Sequence, residues 1–78
     1  MESKMVRESL RSLRTGEVAL VERITSTGGP AKRLADLGFV RGAQLEMIRH
    51  GVPCIVRVKG ACIGLGRMHQ ASILLRPE

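Results

Sequence analysis

Apolar and polar residues alternate along this chain in short runs, and each run points to a different element. Val18–Ile24 is β-branched and aliphatic, which predicts a strand leaving the Thr15-Gly16-Glu17 turn. In Ala43–Arg49, Leu45 and Met47 fall on one side and Gln44 and Glu46 on the other, the period of a half-buried strand. Cys54–Val58 repeats it, with Cys54, Val56 and Val58 inward and Ile55 and Arg57 outward. Lys59-Gly60 then suits a tight hairpin turn into Ala61–Leu65. Gly66–Gln70 reads as an irregular or 3₁₀ turn before a last strand, Ala71–Leu75. Helical spacing is confined to two places. Pro30 at a favoured first position, good helix formers over Ala31–Leu37 and Gly38 at the exit predict a short helix, and Met5, Val6, Leu10 and Leu13 predict one or two helical turns at the start. The elements sum to a mainly β fold: a small antiparallel β-barrel of about five strands, with one short helix and a helical N-terminal segment, forming one domain over residues 1–78 with its core at about 10–76.

Length and composition narrow what such a barrel can do. With 78 residues the chain buries only roughly 60–65% of the surface its unfolded form exposes, so the core is thin and a deep substrate cavity is hard to build. Phe39 is the only aromatic residue, which makes the core aliphatic and leaves no platform for stacked bases. The thirteen basic residues against seven acidic ones give a net charge of +6. Ten of the thirteen are arginine, the side chain suited to bidentate contacts with carboxylate or phosphate. They are spread along the chain and not gathered in a stripe, so a partner bearing acidic groups is expected in preference to nucleic acid. No basic leader precedes an apolar run and no apolar stretch approaches the ~20 residues that span a bilayer; a cytoplasmic protein without direct membrane insertion is expected.

A longer pattern runs through these elements. Leu10-x-x-Leu13-x-x-Gly16-Glu17, then Arg33-Leu-Ala-Asp-Leu-Gly38-Phe-Val-Arg-Gly42, then Pro53, the strand pair through Gly60, Leu65 and Ile73 together resemble the FeoA family of ferrous iron transport accessory proteins. The resemblance implies an SH3-like barrel and a non-enzymatic role: docking on the cytosolic GTPase portion of the ferrous iron permease FeoB and modulating transport. A similar domain ends some iron-dependent repressors, so a metal-sensing regulatory domain and a small basic nucleic-acid-binding barrel are the alternatives. The chain departs from the family pattern in two stretches: the loop before Pro53 is short and lacks Asp, and Gly66 stands where Arg is usual.

Candidate chemistry is sparse. His50 and Cys54 are the weak candidates for a transition metal, since they could approach across their loop, but no Cys-x-x-Cys or His-x-x-x-His chelate is present and no cofactor is called for. Hairpin arithmetic sets Cys54 opposite Leu65 and Cys62 opposite Arg57, roughly 10 Å apart and on opposite faces, which rules out a disulfide between them. Asp36 is the only Asp and the Glu residues are dispersed, so no acid–base pair is visible. An arginine donated to a GTPase partner could be Arg33, Arg41 or Arg67, all near turns. The candidate protein-binding set is Arg33, Leu37, Phe39, Val40 and Arg41. These apolar residues either seal the barrel or form an anchor rimmed by arginine, with Phe39 or Val40 as the exposed member.

Overall fold

The computed structural model describes residues 8–77. Its strands are β1 (Glu8–Ser9), β2 (Val18–Ile24), β3 (Gln44–Arg49), β4 (Cys54–Val58), β5 (Ala61–Leu65) and β6 (Ile73–Pro77). Helix α1 (Gly28–Asp36) follows β2, helix α2 (Arg67–Ser72) follows β5, and a single 3₁₀ turn, Leu10–Ser12, follows β1. All pairings are antiparallel, in the order β1-β6-β2-β3-β4-β5.

The alternation in the sequence becomes an inside and an outside. Ala19 and Val21 of β2, Leu45 and Met47 of β3, Cys54, Val56 and Val58 of β4, Leu65 of β5, and Ile73 and Leu75 of β6 all pack into one core. Two bulges keep that assignment consistent while bending the strands. In β2 the pairing with β6 runs Val21↔Leu75 and then Arg23↔Leu74, so Glu22 is the extra residue and Ile24, not Arg23, turns to the core. In β3 the shift between Met47 and Arg49 does the same, leaving Arg49 opposite Ile55 on the outer face. At the β4–β5 turn Lys59 and Gly60 have φ of 53° and 80°, the doubly left-handed geometry of a two-residue hairpin that matches strand twist.

Three parts differ from the sequence expectation. The predicted N-terminal helical turns lie outside the described residues up to Arg7; beyond it, Glu8 and Ser9 pair with Leu75 and Leu74 of β6, and only Leu10–Ser12 is helical, as one 3₁₀ turn. Three residues per turn is the period that sends both Leu10 and Leu13 inward, and both are buried. The segment after β5 is a true α-helical turn, with Gln70 N–H donating to Gly66 O at 3.0 Å. It takes up Ala71 and Ser72, so the last strand starts at Ile73. Helix α1 likewise starts at Gly28, earlier than expected, and Pro30 falls in its first turn, where a missing N–H leaves no bond unmade.

Candidate functional site

The candidate binding residues sit where α1 ends and the chain returns to the sheet. Gly38 N–H donates to Ala35 O and Phe39 N–H to Leu34 O, both at 3.0 Å, which closes the helix with a Schellman motif. Gly38 has φ of 110°, and a Cβ there would lie 2.9 Å from Lys59 Cγ, so both the helix stop and the close approach of the β4–β5 hairpin require glycine. The motif brings Leu34 and Phe39 together, and both side chains are fully buried. Phe39 is therefore part of the core and not a surface anchor, a correction to its place in the candidate set.

Leu37 and Val40 are the exposed apolar members of the set, at 39% and 42%. Leu37 lies one turn along α1 from exposed Arg33. Val40 begins the tight turn closed by Ala43 N–H donating to Val40 O at 2.9 Å, and Arg41 projects from it. Gly42 N–H to Val21 O and Val21 N–H to Ala43 O, both 2.8 Å, fasten that turn to β2. Arg41 also meets a charge the sequence did not suggest. Its Nη2 is 3.9 Å from Glu22 Oε2, while the other oxygen of Glu22 holds Arg76 Nε at 3.1 Å. Glu22 meets them from the outer face of β2; that the turn after α1 and the end of β6 arrive beside it is a long-range fact that the strand's own pattern does not carry.

The metal candidates do not converge. Cys54 points into the core and is 1% exposed, whereas His50 lies on the exposed β3–β4 loop. Among the described residues no three His, Cys, Asp or Glu side chains come together in a group that could hold a metal ion. His50 instead borders a cleft with Arg11 and Arg67, two residues that no local pattern connects. Cys54 does pair with Leu65 and Cys62 with Arg57, and both thiols are free.

Burial pushes the Cys54 thiol above its ordinary value, and hydrogen bonds from the backbone only partly offset this. The native state thus holds that proton more tightly than the unfolded chain. This contribution to stability is fully present below the ordinary thiol range and is lost as pH rises through the raised value. Under native conditions near neutrality, a maleimide is expected to label Cys62 at once and Cys54 only after denaturant is added; mass mapping that finds Cys54 labelled first contradicts this burial.

An antiparallel barrel sealed by a short helix, with an apolar–basic corner at the helix exit, defines the class of small SH3-like β-barrel domains. The FeoA domain model matches residues 8–77, and the chain belongs to the FeoA family. No curated protein matches its sequence. Among solved structures, FeoA of Chlorobium tepidum is 30% identical, with a TM-score of 0.82 over 90% of this chain and 70% of that one. Stenotrophomonas maltophilia FeoA in complex with zinc, described as a procaryotic SH3 domain protein possibly acting as a bacterial ferrous iron transport activating factor, is 25% identical, with a TM-score of 0.78 over 87% and 88%. T. acidophilum IdeR shares the fold alone, at 19% identity and a TM-score of 0.86, and this chain spans 37% of its length.

Proposed function

We propose that this protein is a non-enzymatic, cytoplasmic accessory factor of ferrous iron uptake, a single-domain interaction module that docks on the GTPase portion of a FeoB-type permease and modulates transport. Membership of the FeoA family supports the link to iron transport, as does the activating role suggested for the Stenotrophomonas maltophilia relative. No helix of the described residues is long and apolar enough to cross a membrane, consistent with a factor that acts on a separate permease.

The observation that carries the docking reading is the corner at the α1 exit. Leu37 and Val40 expose apolar surface beside Arg33 and Arg41, while their neighbours Leu34 and Phe39 are sealed in the core. An apolar centre with an arginine rim is the composition of an interface hot spot. Arg33 and Arg41 are also the side chains placed to meet acidic groups or a bound nucleotide on the partner.

An NMR titration of the labelled protein with the GTPase domain, empty and GTP-loaded, tests the proposal. Amide shifts centred on Arg33–Gly42 that survive moderate salt are the expected result. Absence of shifts at several-fold excess overturns it. A steep log-linear loss of binding with salt, together with shifts on adding nucleic acid, would support the nucleic-acid-binding reading instead.

A further inference from the structure

A second surface lies among the 3₁₀ turn, the β3–β4 loop and α2. These three elements enclose a cleft of about 300 Å³, to which they contribute Arg11, His50 with Val52, and Arg67 with Gln70 respectively. A neighbouring concavity of about 410 Å³ shares His50 and Val52 and adds Arg49 and Pro53. Among the described residues no Asp or Glu lines either hollow, so three guanidinium groups and an imidazole gather without a carboxylate.

The cleft is held in shape by one buried side chain. Gln70 is 7% exposed, and its Nε2 donates to Gly51 O at 3.0 Å and to Leu65 O at 2.9 Å. A single amide therefore ties α2 both to the β3–β4 loop and to the end of β5. A site held this way loses little freedom when a ligand arrives. The wall shared by the two hollows is apolar: Val52, which lines both, is 63% exposed, and Pro53 and Ile55 line the second.

We propose that this cleft captures an acidic segment of a partner protein that also carries apolar side chains. Arginine from two separate elements can grip carboxylates from two directions, and each such bond is charge-assisted. A free small anion would satisfy the arginines but leave Val52 and Ile55 uncovered, whereas a peptide with alternating acidic and apolar residues engages both kinds of lining. A nucleic acid strand would find no Phe, Tyr or Trp to stack on, since the only one, Phe39, is buried. The cleft is separate from the α1 corner, and the proposal does not depend on the identity of the partner docked there.

The test uses the labelled full chain and a short acetylated peptide of alternating Glu and Leu. Saturable shifts at Arg11, Gly51–Val52 and Arg67–Ala71 are the expected result. Binding should weaken by about tenfold or more with the matched Gln–Leu peptide and with the Arg11→Glu, Arg67→Glu double variant. Val52→Ser should weaken it several-fold, and unchanged amide positions in β2–β6 would show that the variants remain folded. Four results overturn the proposal: no shifts at millimolar peptide, equal binding of the Gln–Leu peptide, citrate or a short oligonucleotide competing as well as the acidic peptide, or undiminished binding by the folded double variant.

Discussion

Replacing Phe39 with Ala is expected to cost about 3–5 kcal/mol and to leave the protein largely unfolded at ambient temperature. The ring is fully buried, and nothing else in a core of Leu, Val, Ile and Met has its shape. It also occupies the position just past the left-handed cap of α1, where its N–H satisfies Leu34 O and its side chain shares the core with Leu34. Truncation therefore opens a cavity and loosens α1, the longer of the two α-helices among the described residues. A small domain has only about 3–5 kcal/mol of stability to lose, so the loss is on the scale of the whole. Phe39→Leu, which keeps most of the volume, should lower stability by less than about 1.5 kcal/mol. Thermal and urea melts followed by circular dichroism make the comparison. A Phe39→Ala protein melting within a few degrees of the parent would mean that the ring does not seal the core.

The second large effect is on binding, in a protein that remains folded. Leu37→Asp combined with Val40→Asp places charge on two side chains that are 39% and 42% exposed, so the domain should lose about 1–2 kcal/mol of stability, less than Phe39→Ala costs. Affinity for the GTPase domain should fall at least about 30-fold, the scale of losing an interface hot spot. A folded double variant that binds like the parent would place the docking surface elsewhere. The contrast with Phe39 is informative because the three residues lie in one short stretch of sequence. One holds the domain together, and the other two are free to meet a partner.

That division was only half legible in the sequence. Val18–Ile24, Cys54–Val58 and Ala61–Leu65 could be read as strands with their observed limits, because alternation and a two-residue turn are local signals. The free, oppositely facing cysteines followed from hairpin register for the same reason. Phe39 was ambiguous because an apolar residue after a helix-ending glycine can point either way, and only the backbone bond to Leu34 decides it. The missed features are long-range. The β1 pairing depends on β6 at the far end of the chain, and the cleft exists only because the 3₁₀ turn packs against α2 and brings Arg11 and Arg67 to one place. No local pattern carries that meeting.

The carboxylate of Glu22 bears on encounter with the proposed partner. From the outer face of β2 this residue stands between Arg76, which it holds at 3.1 Å, and Arg41, which it reaches only at 3.9 Å. Arg76 has the closer share of the Glu22 charge, and Arg41 remains a loosely leashed cation at the α1 corner. On the proposed docking reading, a negatively charged partner draws Arg41 away without breaking the closer pair. One carboxylate shared unequally between two arginines would then set how much positive field the corner projects into solvent, and so how quickly such a partner is captured.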